Sequence, residues 1–285
     1  MKWPHLFKKI LLIFFFLAFS NTLQAFDRLI SLKPNLTEIL FSLGLGDHLV
    51  GATTFCDTPP AALKIDRVAD YLHPDIEKVI AKKPDLILGS EENSSRREVD
   101  FLIQKGYRVV LLQTESLNEL KQTLKTLGAL LQKESQATTL VQSIDQDLKT
   151  FQKIASELKT KKPRVLFVVG HQPTIVAGSK NIFDEAAFYL GLENVATQNR
   201  AQYPTYSIEM LIASKPDLIL DFSMGDESTE KSRMEILEQW KKYPQIEAVQ
   251  KNRILFVDMK LMRIAPSITQ HWKELADKIQ RMLGR

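Results

Sequence analysis

The chain has 285 residues, 44% of them apolar and 25% charged, with 11 Gly, 12 Pro and a single Cys. That composition excludes collagen-like, low-complexity and disordered chains, and one Cys excludes an intramolecular disulfide, a zinc ribbon or an iron–sulfur cage. The formal charge of +4 is carried almost wholly by the first 25 residues, where Lys2, Lys8 and Lys9 meet no acid; the rest holds 35 basic and 34 acidic side chains. No uncompensated basic stripe remains to neutralise phosphates, so nucleic acid is not expected as a partner.

In chain order, the first predicted element is a leader. The three lysines precede an apolar run from Ile10 to Phe19, and a polar stretch ends at Leu23-Gln24-Ala25. Charged end, short apolar stretch and small residue are the order of a cleavable secretory signal over 1–25. The run is about half of the ~20 apolar residues that a membrane-spanning helix needs. No Cys follows it to carry a lipid, so the mature chain is expected to be free in the periplasm.

Next come a strand at Arg28–Leu32, a helix ending at Leu43-Gly-Leu45, and then the segment IEKVIAKKPDLIL from Ile76 to Leu88. The same segment returns as IEMLIASKPDLIL from Ile208 to Leu220, identical at ten of thirteen positions. Each copy reads as an amphipathic helix, a Lys-Pro-Asp stop and a short strand buried on both faces. Around the second copy the other pieces recur: a strand at Arg164–Val169, a helix ending at Leu190-Gly-Leu192 and a late strand at Arg253–Val257, which answers Tyr107–Leu112 in the first half. Strands alternating with helices imply parallel sheets flanked by helices. The predicted fold is therefore α/β: two similar three-layer lobes with mostly parallel sheets.

Between the halves, residues 129 to 162 contain no Gly or Pro, and Ala137, Leu140, Val141, Ile144, Leu148, Phe151 and Leu158 recur at helical spacing. One long helix over Glu134–Thr160 is expected to join the lobes, the alternative being a helical hairpin turning near Asp145. The expected organisation is a signal peptide at 1–25, an N-terminal lobe at 26–132, a connecting helix at 133–161 and a C-terminal lobe at 162–285.

The segments SLKPNLTEILFSLGLGDHLVG and CDTPP, the two repeated units and the long connector resemble the helical-backbone periplasmic binding proteins, the solute receptors of ABC importers for cobalamin, iron siderophores and haem. The resemblance covers residues 27–285 and is greatest to the cobalamin-binding branch, chiefly through Phe55-Cys-Asp-Thr-Pro-Pro60. It implies a ligand held between lobes, small closure about a rigid helix, and one glutamate per lobe docking onto arginines of an inner-membrane permease driven by a cytoplasmic ATPase. Those glutamates fall on Glu77 and Glu209, the second residue of each repeat; a first-turn acid also complements the helix dipole. Aromatic cleft positions carried over from the branch are Phe55, Tyr71 and Tyr203, with Arg263 as a ligand-contacting guanidinium.

The chain departs from that branch in two places. Ser90 stands where a Trp is expected, and Met259-Lys-Leu-Met262 replaces an acid and aromatics, so a truncated corrinoid or another bulky ligand fits as well. His171, after a strand, is a further candidate to face the cleft or merely cap it. The four mature histidines are scattered without metal-ligand spacing, so no metal is expected. Cys56 reads as a small buried group. The run from Gly44 to Gly51 follows a helix and lacks dinucleotide-loop spacing, and no nucleophile elbow appears. The expected function is capture of cobalamin or a corrinoid as transported ligand, by a monomer without cofactor or enzymatic activity. Ferric siderophore or haem is the alternative within the class, and a periplasmic hydrolase or chelatase is the alternative outside it.

Overall fold

Strand β1 (Leu29–Ser31) is buried along its whole length and leads through Lys33 into helix α1 (Pro34–Ser42). Pro34 occupies the first helical turn, where its missing N–H costs nothing, and Gly44 ends the helix at φ 77°. The computed structural model describes residues 26–70, 73–93, 96–157, 161–198, 200–223 and 230–284; the expected signal peptide and Tyr71 lie outside the described residues. The first lobe continues through β2 (Leu49–Thr53), β3 (Arg67–Ala69), α2 (Ile76–Ala81), β4 (Leu86–Ser90), α3 (Arg97–Gln104), β5 (Val109–Leu112) and α4 (Leu117–Leu130). Its sheet runs β3-β2-β1-β4-β5 with every pairing parallel. Strands β2 and β3 were not expected: Leu-Val-Gly-Ala-Thr sits inside a Gly-containing run, and three residues are too few for periodicity to register.

A single helix, α5 (Glu134–Glu157), connects the halves. Its 24 residues give a rod of about 36 Å, with no turn at Asp145. Ala137, Val141, Ile144 and Leu148 are its buried stripe, with Leu140 and Phe151 packed against the same core. Each lobe's last helix is fastened to it: Lys121 of α4 pairs with Asp145 at 2.9 Å, and the hydroxyl of Thr269, in the helix that ends the chain, donates to Asp147 at 2.6 Å.

The second lobe comprises β6 (Arg164–His171), β7 (Thr174–Val176), α6 (Ile182–Tyr189), β8 (Glu193–Asn194), α7 (Ile208–Ser214), β9 (Leu218–Asp221), α8 (Glu230–Trp240), α9 (Glu247–Gln250), β10 (Ile254–Phe256) and α10 (Ile268–Leu283). Its sheet runs β10-β9-β6-β7, with β8 pairing β6; β7 alone runs antiparallel to its neighbour. The mostly parallel two-lobe α/β fold is as the repeat predicts.

The repeat has a structural reason. The Asp85 carboxylate accepts from the backbone N–H of Asp27 and Arg28, both at 2.9 Å, and Asp217 accepts from Arg164 N–H at 2.8 Å. Each Lys-Pro-Asp acid thus ties the start of its own β-strand to the first strand of its lobe. In return the Arg28 guanidinium donates to the carbonyl of Lys82 at 2.8 Å, and that of Arg164 to the carbonyl of Ser214 at 2.8 Å, closing the end of the repeated helix. Lys83 and Lys215, each before its proline, leave the helix in the left-handed region at φ 46° and 42°. The proline expels them from right-handed helix as expected, although into the left-handed rather than the extended region.

Candidate functional site: a cavity between the lobes

Parallel α/β sheets place ligand sites at the carboxyl ends of their strands, and here two such edges face each other across a cavity of about 660 Å³. From the first lobe come Lys33, Pro34 and Asn35 after β1, Phe55 after β2, Glu92 after β4, and Thr114 and Glu115 after β5. From the second come Ile182 and Phe183 at the start of α6, Tyr203, Ser223 after β9, and Met259, Lys260, Met262, Arg263 and Ile264 after β10.

The apolar lining is anchored in the core. Phe183 meets Phe222 edge to face at 5.0 Å between centroids and meets Tyr203 edge to face at 6.5 Å. A buried aromatic column therefore ends on the Tyr203 ring at the cavity wall. Phe55 and Tyr203 are each 48% exposed, so two large, partly open rings line the hollow, one from each lobe. That suits a large planar or rimmed ligand, because a ring removes much apolar surface from water at little rotamer cost.

The polar lining is charged and largely self-paired. Lys33, only 5% exposed, bonds Glu92. Beside them burial pushes the Glu115 carboxyl up, and the Glu92 charge adds to the rise. Burial, with Glu115 nearby, raises the Tyr203 phenol as well. Across the cleft Asp57 pairs with Arg263 at 2.9 Å and with Lys260 at 2.8 Å. Burial opposes ionisation of Asp57, but hydrogen bonds and charge from Lys260 and Arg263 outweigh it and hold its pKa at about 2.

The expected ligand residues Phe55, Tyr203 and Arg263 are brought together in this cavity. His171 is not: β6 runs on through it, and its Nε2 lies 2.8 Å from Oδ2 of the fully buried Asp221. It lines a separate hollow with Gln172, Ile208, Leu211, Trp240 and Tyr243, so the cleft-facing expectation for His171 is corrected by its pairing with Asp221. Cys56 is buried and its Sγ accepts from Thr37 Oγ1 at 3.0 Å. Among the described residues no group of three or more His, Cys, Asp or Glu could hold a metal ion.

Glu77 and Glu209 lie outside the cavity, exposed in the first turns of α2 and α7. Asp75 caps the first of these helices by accepting from Lys78 N–H at 3.1 Å. Ser207 caps the second, and its hydroxyl holds the Glu209 carboxyl below its usual range. Lys33, Asp57, Glu92 and Glu115 were not anticipated. Their one sequence signal is position, each following directly on a strand or its turn.

Two α/β lobes, strand ends facing a ligand-sized hollow, and a rigid connector define a two-lobed solute-binding protein. The pattern of the periplasmic binding protein family matches residues 29–261, and the chain belongs to that family. A vitamin B12-binding protein of Vibrio vulnificus (strain YJ016) is 33% identical over 207 residues, 70% of this chain and 73% of its own. A possible iron-binding periplasmic solute-binding protein of Staphylococcus epidermidis ATCC 12228 superposes with a TM-score of 0.79 at 29% identity, covering 90% of this chain and 99% of that one. A periplasmic haem-binding protein of Pseudomonas aeruginosa does so with a TM-score of 0.77 at 26% identity, covering 89% and 92%. Family membership makes the chain a substrate-binding transport protein and not an enzyme, with cargo in place of a cofactor. The hydrolase or chelatase alternative is thereby set aside. No helix among the described residues is long and apolar enough to cross a membrane.

Proposed function

We propose that this chain captures cobalamin or a related corrinoid in the periplasm and hands it to an inner-membrane ABC permease, after export directed by residues 1–25. The lobes are 26–132 and 162–285, joined by the connector at 133–161, and the receptor acts as a monomer. The observation that carries the reading is the cavity walled by Phe55 from one lobe and Tyr203 from the other, together with the 33% identity to a vitamin B12-binding protein.

Capture involves no bond chemistry. The two rings cover the faces of a bulky ligand, and Arg263 and the Lys33–Glu92–Glu115 group address its polar rim. Glu77 and Glu209 then present one carboxylate per lobe to permease arginines, a contact suited to a bidentate fork. ATP hydrolysed by a separate cytoplasmic subunit supplies the energy.

Calorimetric titration against cobalamin, cobinamide, haem and ferric siderophores tests the reading, with one saturable site for a corrinoid expected. Tryptophan fluorescence is a second probe. Because Trp240 and Trp272 are buried and line no part of the cavity, quenching reports energy transfer to a coloured ligand rather than contact. A flat response to both corrinoids sinks the proposal. Saturable binding of haem alone favours the second reading, which the likeness to the P. aeruginosa haem-binding protein supports.

A further inference from the structure

Glu38 and Glu185 occupy the same place in the internal repeat. Glu38 lies on α1, five residues before Leu43-Gly44-Leu45, and Glu185 lies on α6, five residues before Leu190-Gly191-Leu192. Each therefore stands on the first helix of its lobe, and each reaches out of that lobe. Glu38 Oε1 accepts from the backbone N–H of Ser267, the cap residue of α10, at 3.0 Å. Glu185 Oε2 accepts from the backbone N–H of Leu117, the first residue of α4, at 3.1 Å. The acceptor is in each case on the first helix of one lobe, and the donor opens the last helix of the other.

Both bonds satisfy helix-start N–H groups that have no partner within their own helix, and both place an acid at the positive end of a helix dipole. Glu38 is 4% exposed and Glu185 is half-buried. Carboxylates that give up water in this way are held firmly, because losing the donor leaves an unmet buried acceptor. Surface pairs such as Lys241–Glu238 carry no such penalty.

We propose that Glu38 and Glu185 are a symmetry-related pair of positioning residues that fix the axis about which the lobes close on the cavity. Two point contacts leave a pair of rigid lobes one rotation, about the line that joins them, and the pairs of Asp57 with Arg263 and Lys260 hold that rotation in place. Closure on a ligand therefore turns about the Glu38–Ser267 and Glu185–Leu117 contacts while α5 keeps its shape. This explains why both copies of the repeat carry a glutamate at a place that touches neither the cavity nor the exposed face bearing Glu77 and Glu209.

Spin labels on Lys105→Cys and Lys251→Cys, in a Cys56→Ser background, measure the distance between lobes. Glu38→Ala with Glu185→Ala is expected to broaden that distribution about twofold or more. Glu38→Gln with Glu185→Gln, which keeps a carbonyl acceptor at each site, is expected to restore the parent width. An unchanged distribution in the folded double Ala variant overturns the proposal, as does failure of the Gln pair to restore it. Should the Ala pair not fold, hydrogen exchange in the unaltered chain decides the matter. The Leu117 and Ser267 amides are expected to open in one shared event, at rates within about threefold of each other, and a disparity of about tenfold or more overturns the proposal.

Discussion

Asp57 and Arg263 stand 206 positions apart in the chain and meet at 2.9 Å between the lobes. Lys260 joins the same carboxylate at 2.8 Å, so one acid of the first lobe gathers two cations of the second. The pairing holds Asp57 at about 2 against an ordinary 3.8. A depressed acid contributes to the folded, closed form above its ordinary pKa and loses that contribution as pH falls through the depressed one. The lobe-to-lobe contact is therefore expected to be intact above pH 4 and to fade between about pH 4 and 2, read as a widening of the inter-lobe distance in acid. Asp57→Asn should remove that acid-dependent step and, at neutral pH, speed ligand release by about tenfold through the dissociation rate rather than the association rate. An unaltered acid profile in Asp57→Asn would assign the transition to another group.

The two cavity rings are expected to carry much of the affinity. Burying an aromatic side chain is worth about 1.5–3 kcal/mol, so Phe55→Ala and Tyr203→Ala should each weaken ligand binding by roughly 10- to 100-fold. Tyr203→Phe should stay within about threefold of the parent, because the ring and not the phenol covers the ligand. Calorimetry on the three variants checks this, and a loss in Tyr203→Phe equal to that in Tyr203→Ala would shift the role to the hydroxyl.

Much of this architecture was legible because its causes are local and repeated. Asp85 and Asp217 sit in identical Lys-Pro-Asp contexts and do the same work, so one pattern seen twice announced two lobes. The absence of Gly and Pro from 129 to 162 announced the rod. Phe55, Tyr203 and Arg263 were reachable through the family likeness of their loops. Lys33, Asp57, Glu92 and Glu115 were not, because a charge reads as solvated surface until the partner that desolvates it is known. For Asp57 that partner lies in the opposite lobe. His171 misled for the complementary reason: a histidine at a strand end points toward a cleft unless a buried acid claims it, and Asp221 on the neighbouring strand does so.

The contact between α4 and the rod rests on a missing side chain. Gly128 lies inside α4, where Ala is ordinarily favoured by about 1 kcal/mol. A Cβ built there would sit 2.6 Å from the Cβ of Ala137 on α5 and 3.3 Å from the Lys133 carbonyl. Neither neighbour is a flexible chain end, so the helices must part, and overpacking of this kind costs about 1–3 kcal/mol. Gly128→Ala is therefore expected to destabilise the protein despite its better helix propensity, as a lower urea midpoint with unchanged m-value. A raised midpoint would show that the two helices separate at little cost.

The exposed glutamates of the repeat give the most direct separation of binding from delivery. Glu77 and Glu209 line no part of the cavity, and both are solvent-exposed in first helical turns. Their removal leaves the cavity and the inter-lobe contacts of Asp57, Glu38 and Glu185 in place. Glu77→Ala combined with Glu209→Ala is expected to abolish ligand uptake by cells while changing the affinity of the purified protein by less than about threefold, since surface charges far from a site perturb it little. Each single variant should give an intermediate uptake defect, because one lobe still docks. Uptake assays with labelled ligand and calorimetry on the same variants check both halves. A large loss of affinity would place these carboxylates in ligand binding, and normal uptake by the double variant would leave them only the dipole role that their position at helix starts already grants.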